Sequence, residues 1–226
     1  MRRIGILLAL SALLTLSTAA AASLSLTSQA LTPIRNCILS GYPSTTTDVI
    51  DAMVEQNNPN TNYNNATNSV MSHSGNTNRR TYVEFLVADC VPAIPPTATI
   101  RSATLRLYAT AVPAGTCRTD DVFAATSAWT ETGITWNTQP TSNSTRTTYM
   151  QIGSTCTSNN AAGYVTGWNV TGDVQSYVSG SASDDGWMIR DDAESSATSY
   201  TATYEAKNGN STTENPELII SYVDVP

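Results

Sequence analysis

Aromatic side chains are the residues of this sequence best suited to contact a ligand. Ten tyrosines and four tryptophans greatly outnumber the two phenylalanines. Rings with an apolar face and a polar tip can stack on the faces of sugars and still form hydrogen bonds. The alternative for each ring is a half-buried position in a sheet, with its polar tip in water. The candidates for an exposed sugar-binding platform are Tyr63, Trp168, Trp187, Tyr200 and Tyr204.

The carboxylates and the single histidine are weaker candidates for chemistry. Asp184 and Asp185 could bind calcium, which prefers carboxylate and carbonyl oxygens. They lack the spacing of a calcium loop, so the favoured interpretation is that both are solvated turn residues. His73 lies among serine and asparagine and is interpreted as exposed rather than as a general base. Because no nucleophile motif is present, we predict a noncatalytic protein without a cofactor.

Two tryptophans mark a loop that the rest of the protein must hold in place. The segment from Trp129 to Pro140 is rich in Thr, Gly and Asn, a composition that favours neither a helix nor an uninterrupted strand. Such a segment is hard to order unless its indoles pack against the body of the protein. We therefore assign Trp129 and Trp136 to structure rather than to ligand binding.

The four cysteines predict two disulfides, because an even number is typical of exported proteins. Zinc binding is the alternative, but Cys37, Cys90, Cys117 and Cys156 lack metal-ligand spacing and His73 is far from them. Three pairings are open. We predict Cys117 with Cys156, which would link the two flanks of the tryptophan loop, and Cys37 with Cys90. Closing a loop of about 40 residues stabilises a protein by roughly 4 kcal/mol in the chain-entropy model.

The N-terminus is typical of an export signal. Two arginines follow Met1, an apolar run extends from Ile4 to Leu16, and three alanines precede Ser23. A buried N-terminal helix is the alternative. We predict a signal peptide over residues 1–22 and a secreted mature protein, extracellular or at the cell surface, that does not insert into a membrane.

The charge of the chain excludes one class of partner. Of 11 basic side chains, two belong to the predicted signal, which leaves nine against 18 acidic ones and a net charge near −9. Binding to phosphates requires a basic stripe, and the sequence has none. We predict no nucleic-acid partner.

The mature sequence divides into a polar lead and one β-rich domain. We expect no core element in residues 23–47, which are rich in Ser and Thr and are interrupted by Pro33 and Pro43. Residues 48–226 alternate apolar and polar side chains in short segments, with one helix predicted over Thr171–Val178. This pattern predicts an antiparallel β-sandwich or barrel. Strands are expected at residues 48–55, 79–87, 100–110, 121–126, 149–152, 164–170, 186–190, 198–206 and 217–223.

A series of motifs resembles one protein family. Residues 129–140 read W-x-E-x-x-I-T-W-N-x-Q-P, and residues 102–108 read S-A-T-L-R-L-Y after Ile94-Pro95-Pro96. Further matches are Asp51-Ala52, Val54, Pro59, Asn62-Tyr63, Arg80, Tyr82, Phe85, Val170-Thr171, Val174-Gln175, Gly180, Gly186, Glu205-Ala206, Pro216 and residues 218–222. Over about residues 48–223 the chain resembles the DNRLRE-type domain, also grouped as carbohydrate-binding module family 96. The resemblance implies an all-β, antiparallel β-sandwich of jelly-roll type with one short helix, and sugar binding in some members, including acidic polysaccharides.

Departures from the family pattern narrow the expected ligand. Leu86 stands where the pattern has Asp, Tyr204 where it has Arg, and Glu84 where it usually has Lys. Fewer basic positions and a net negative charge argue against a polyanionic glycan. We predict a noncatalytic module that binds an extracellular or cell-surface polysaccharide.

A structural cell-surface protein or fibre subunit is the alternative function. We expect no enzyme domain appended to the module, and the polar lead could self-assemble by adding a strand to the sheet edge of a neighbour. A hydrolase or lyase is the third interpretation, because 18 acidic residues leave a pair of catalytic carboxylates open.

Overall fold

Short amphipathic strands form almost all of the domain. The computed structural model describes residues 32–42, 48–66, 68–73, 77–194, 198–209 and 211–224. These belong to the second of two units in the chain, Met1–Leu31 and Thr32–Pro226, so the predicted signal peptide lies outside the described residues. The strands are β1 (Ile34–Ser40), β2 (Val49–Glu55), β3 (Asn68–His73), β4 (Arg79–Phe85), β5 (Thr99–Arg106), β6 (Tyr108–Ala111), β7 (Arg118–Ala124), β8 (Thr148–Ile152), β9 (Gly163–Tyr164), β10 (Trp168–Asn169), β11 (Trp187–Asp191), β12 (Tyr200–Glu205) and β13 (Glu217–Val223), and the helix is α1 (Thr171–Val178).

Two antiparallel sheets pack around one hydrophobic core. The smaller sheet has the order β1-β13-β5-β10. The larger has the order β8-β7-β11-β4-β3-β12-β6-β9, with β2 on β4. Leu105 and Ile220 enter the core from the smaller sheet, and Phe85 and Ile189 enter it from the larger one. The prediction of an all-β antiparallel sandwich with one short helix is confirmed.

Two of the predicted strands are each divided between the sheets. The alternation expected over residues 100–110 continues through Leu107, but β5 belongs to the smaller sheet and β6 to the larger. Residues 164–170 divide in the same way into β9 and β10, with Gly167 between them at φ 107°. Burial alternates without interruption through Leu107, so the sequence pattern does not reveal that crossing. At the second crossing the alternation is interrupted, because Thr166 and Gly167 separate the buried Val165 and Trp168.

Two strands lie where the sequence predicted none. The expectation that residues 23–47 contain no core element is wrong for β1, which pairs along its whole length with β13 and buries Cys37 and Leu39. A strand at a sheet edge needs only alternate apolar residues, so a polar segment can supply one. β3 pairs with β12, although its apolar residues Val70 and Met71 are adjacent rather than alternating.

Both predicted disulfides are present. Cys37 bonds to Cys90 and Cys117 to Cys156, with sulfur–sulfur distances of 2.00 and 1.97 Å. The first attaches β1 to the short 3₁₀ turn at Val87–Asp89. The prediction of this pairing is confirmed, and none of the four cysteines is free to bind a metal.

The helix α1 lies against β5. Val174 is fully buried, and the side-chain amide of Gln175 accepts a hydrogen bond from the N–H of Ile100 at 2.9 Å and donates one to the carbonyl of Ala98 at 3.1 Å. These contacts fix which face of the helix is turned away from the sheet. No helix in the described part of the chain has the length and apolar character of a membrane span.

Candidate functional site

The tryptophan loop (residues 129–140) covers part of the outer face of the larger sheet. Its two indoles pack against a second apolar cluster on that face. The indole N–H of Trp129 donates to the carbonyl of Asp185 at 3.0 Å, and its ring contacts the Tyr82 ring edge-on, with centroids 5.9 Å apart. The guanidinium of Arg80 lies 4.6 Å from the centre of the Trp136 ring. Both indoles therefore contact the body of the protein, and their assignment to structure rather than to ligand binding stays a prediction.

Polar residues hold the backbone of the tryptophan loop. The side-chain amide of Asn62 donates to the carbonyls of Glu131 and Ile134, at 2.9 and 2.7 Å. The Glu131 carboxylate accepts from the ammonium of Lys207 at 3.0 Å. The backbone N–H of Lys207 donates to the carboxyl group of Asp51, whose pKa is raised by burial to about 7. Asn62, Glu131 and Asp51, which belong to the family pattern, are thus linked to one another through the loop backbone and Lys207.

Three of the five rings predicted to form a platform lie in the core, which is a correction. Trp168, Trp187 and Tyr204 are 1%, 0% and 0% exposed, so none can present a face to a sugar in this structure. Each polar tip has a partner inside the protein. The hydroxyl of Tyr204 donates to the carboxyl group of Asp120 at 2.6 Å. The indole N–H of Trp187 donates to the carboxylate of Asp173 at 2.8 Å. Apolar surface on large rings favours burial whenever the polar tip can be satisfied.

The other two predicted rings, Tyr63 and Tyr200, are partly exposed but lie apart. The Tyr63 hydroxyl donates to the carboxylate of Glu55 at 2.6 Å. The next residue along the chain, Asn64, accepts through its carbonyl from Asn208, just beyond the C-terminal end of β12. Tyr200 begins β12 and lies beside a guanidinium, 5.3 Å from its ring centre. The structure does not bring the two rings together into one platform.

A cavity beside α1 provides the candidate site, which we call the helix pocket. It has a volume of about 230 Å³ and is formed by α1, the segment after β7 and the loop between α1 and β11. Its lining combines carboxylates, hydroxyls, an amide and one aromatic ring. The lining residues are Ala124, Ala125, Thr126, Asn143, Asp173, Ser176, Tyr177, Ala182, Ser183 and Asp185.

Asp185 is the least satisfied polar side chain of the helix pocket. The residue is 8% exposed, yet its carboxylate accepts no hydrogen bond from any residue that the structure describes. Its backbone is fixed, because its carbonyl accepts from Trp129 and the following residue, Gly186, adopts φ 70°. A β-carbon at Gly186 would lie 2.3 Å from the carbonyl oxygen of Val83, so only glycine fits there. Burial raises the pKa of the Asp185 carboxyl group.

Two residues one helical turn apart, Asp173 and Tyr177, form the wall of the helix pocket that α1 contributes. One carboxylate oxygen of Asp173 accepts from the hydroxyl of Thr147 at 2.7 Å and from the indole of Trp187 at 2.8 Å. The Tyr177 hydroxyl donates to the carbonyl of Gly186 at 3.3 Å, and its ring centre lies 5.7 Å from that of Trp187. This wall is therefore held by contacts to the core.

The surroundings of the helix pocket are acidic. Burial, together with the nearby charges of Asp184 and Asp185, raises the pKa of Glu84 to about 7. Burial also raises the pKa of Asp184 to about 6, although the N–H of Val87 donates to its carboxylate. Asp184 lines a separate cavity of about 200 Å³ on the other side of Tyr177.

The geometry does not support the two weak calcium candidates. Asp184 and Asp185 are adjacent in sequence but line different cavities. Within the described ranges, no group of three His, Cys, Asp or Glu residues could hold a metal ion. His73 lies at the end of β3, where its backbone pairs with that of Tyr200.

The sequence resemblance is supported by an independent comparison. The sequence model of carbohydrate-binding module family 96 matches residues 42–222, most of the chain. The chain belongs to carbohydrate-binding module family 96. A search of the curated proteins finds none that matches it. Because the sandwich has a family 96 sequence, carbohydrate binding is the function its family indicates.

Sequence reasoning missed most of the helix pocket of this family 96 module. The sequence suggests Asp185 only as a weak calcium candidate, and no ligand-binding role is predicted for Asp173, Tyr177 or Asn143. One available signal was the spacing of Asp173 and Tyr177, which places both on one face of the predicted helix. No local pattern could have shown that Asn143, from a distant loop, lines the same cavity.

Proposed function

We propose that this family 96 module binds, without catalysis, an extracellular or cell-surface polysaccharide through the helix pocket. The observation that carries the proposal is the unpartnered carboxylate of Asp185, which is 8% exposed at the wall of a cavity. This carboxylate lines the cavity without a donor from the protein, so a ligand that donates to it gains a hydrogen bond to a charged group. Sugar hydroxyls are such donors.

The lining of the helix pocket suits a single sugar unit of a longer chain. Asn143 offers both a donor and an acceptor, Ser176 and Thr126 offer hydroxyls, and Tyr177 offers an aromatic surface. A volume of about 230 Å³ is below the range of about 300–1,000 Å³ typical of drug-sized ligands. Acidic residues around the cavity and the predicted net charge disfavour a polyanionic chain.

Export of the protein supports an extracellular ligand. Two disulfides are stable in oxidising compartments and uncommon in the cytosol. The predicted signal peptide over residues 1–22 directs the mature protein outside the cell. We place its polysaccharide there, in the extracellular space or on the cell surface.

A glycan array with the mature protein tests this proposal. We expect binding to a defined set of glycans, its loss in Asp185→Asn, and its retention in Asp192→Asn. The control removes the same charge at an exposed residue beyond the other end of β11. Failure to bind any glycan would refute the function. Binding that survives Asp185→Asn would refute the site.

The second candidate, a self-assembling structural subunit, is favoured by the exposed edge of β1. This strand ends the smaller sheet, and the described residues supply no strand for its other edge. Ile34 and Ile38 point outward and are 66% and 62% exposed. An unprotected edge with apolar side chains is a template for pairing with another chain.

A sizing column separates this candidate from a monomeric binding module. If β1 mediates assembly, the mature protein elutes as large particles, and Ile38→Lys returns it to a monomer. If the protein is a binding module, it elutes as a monomer at micromolar concentration whether or not Ile38 is replaced. Ser40→Lys, which adds the same charge at the end of β1, is the matched control.

A further inference from the structure

Two carboxyl groups, those of Asp173 and Asp185, line the helix pocket. Burial, and then the negative charges of Asp173, Asp184, Asp185 and Glu84, raise the pKa of Tyr177. Asp173 and Asp185 share the lining of the helix pocket with Tyr177, and Asp184 lines the neighbouring cavity together with the same tyrosine. Charges of one sign gathered at a concave surface create a field that attracts ligands of the opposite sign.

This negative charge has no cationic partner within the part of the chain that the structure describes. The lining of the helix pocket contains no lysine, arginine or histidine. The ion pairs among the described residues use other carboxylates, and none includes Asp173, Asp184, Asp185 or Glu84. A carboxyl group without a cationic partner in the protein is neutralised by a proton or by a cation from outside, and the Asp185 carboxyl group is open to such a cation because it lines a cavity.

We propose that the helix pocket selects a sugar unit that carries a free ammonium group, as in a glycan built from amino sugars without N-acetyl groups. This inference rests on the proposed carbohydrate-binding function and names the chemical class of its ligand. An ammonium donates three hydrogen bonds and accepts none, which complements a cavity wall rich in acceptors. The unpartnered Asp185 carboxylate is its principal acceptor.

An ammonium suits this site better than a metal ion or a hydroxyl group. A metal requires several ligands around one point, and no group of three suitable side chains exists among the described residues. A hydroxyl satisfies one hydrogen bond but leaves the negative charge uncompensated. The ring of Tyr177 also lines the helix pocket, and aromatic faces attract cations.

Calorimetric titration of the mature protein in mildly acidic buffer, in which the amino groups of glucosamine are protonated, tests the inference. The ligands are a β-1,4-linked glucosamine tetramer, the same tetramer fully N-acetylated, and a uronic acid tetramer. We expect the glucosamine tetramer to bind at least about tenfold more tightly than the N-acetylated one, as a charged hydrogen bond implies. The uronic acid tetramer should not bind. Added salt should reduce the preference for the amine.

Variants connect the preference to the helix pocket. Asp185→Asn should abolish the preference for the amine, whereas Asp192→Asn should leave it unchanged. Ala182→Trp fills the cavity from an exposed position and should abolish binding without altering a core residue. If Asp185→Asn fails to fold, Ala182→Trp still tests whether the ligand binds in the helix pocket. An equal loss in Asp185→Asn and Asp192→Asn would show nonspecific attraction and refute the inference.

The ligand panel separates failure of this inference from failure of the proposed function. Equal or tighter binding of the N-acetylated tetramer would refute selection of an ammonium, yet leave glycan binding intact. No response to the tetramers, together with an empty glycan array, would refute both. Spermine is a further control, because equal affinity for this simple amine would show that the sugar is not recognised.

Discussion

Replacing Trp136 with alanine tests the conclusion that the tryptophan loop is structural. A buried tryptophan removes roughly 150–250 Å² from water, which at about 25 cal/mol per Å² corresponds to about 4–6 kcal/mol. Trp136 is only partly buried, so we expect the free energy of unfolding to fall by about 3 kcal/mol. About 0.5–1 kcal/mol of this comes from the guanidinium of Arg80, 4.6 Å from the ring centre.

Thermal unfolding followed by circular dichroism measures this loss. For a domain of this size, about 3 kcal/mol corresponds to a decrease in Tm of roughly 6–12 °C. Trp136→Phe is the control, because it keeps an aromatic face for Arg80 while removing part of the packed area, and it should lose about half as much. In Arg80→Ala the cation–π contribution is already absent, so Trp136→Ala should be less destabilising in that background.

One result would refute the reasoning about the tryptophan loop. If Trp136→Ala keeps its Tm but loses affinity for glycans, Trp136 belongs to a binding surface. The expected result is the reverse, a lower Tm with glycan affinity retained at temperatures where the variant is folded.

Three further predictions concern the cysteines, a buried carboxyl group and a glycine. Alkylation of the unfolded, unreduced mature protein should modify no cysteine, and two modified thiols by mass spectrometry would contradict the disulfides. Burial raises the pKa of Asp120 to about 8, whereas an unfolded Asp has a pKa near 4, so the folded state retains a proton that the unfolded state releases. The free energy of unfolding therefore falls as pH rises between about 4 and 8. Measured by urea denaturation, Asp120→Asn should remove on the order of 3 kcal/mol of this fall. If the free energy of unfolding depends on pH in the variant as it does in the original protein, Asp120 is ionised. Gly186→Ala should destabilise by at least about 2 kcal/mol, because its β-carbon would lie 2.3 Å from the carbonyl oxygen of Val83. Gly180→Ala, at φ 72° with no atom nearby, should cost only about 1 kcal/mol, and equal losses would contradict the close contact.

The sequence predicted those elements whose signals are local. Alternation along β13 and the apolar face of α1 placed both elements at their observed bounds, and alternation along β5 placed its start within one residue, because burial on one face determines the pattern. The crossing between sheets at Leu107 left no signal, because both sheets bury the same side of the chain. β1 was missed because its partner, β13, lies at the other end of the sequence.

The candidate site was less predictable than the fold. Aromatic composition indicated sugar binding, but a sequence does not distinguish a ring in the core from one at the surface. Trp187 and Tyr204 are buried because Asp173 and Asp120 accept hydrogen bonds from their polar tips. These pairings join positions 14 and 84 residues apart, which no local pattern reveals. The helix pocket is formed by long-range contacts of the same kind.

The hydrogen bond from Trp129 to the carbonyl of Asp185 has a consequence for how a ligand would be bound. It fixes the backbone beside the pocket carboxylate, and the carbonyl of Gly186 is also held, by the N–H of Ala125 at 2.9 Å. A ligand that reaches Asp185 therefore meets an immobilised acceptor, and the module loses little conformational entropy on binding. Most of that entropic penalty falls on the glycan. Stiffer glycans should accordingly bind more tightly than flexible ones with the same sugar unit, mainly through slower dissociation.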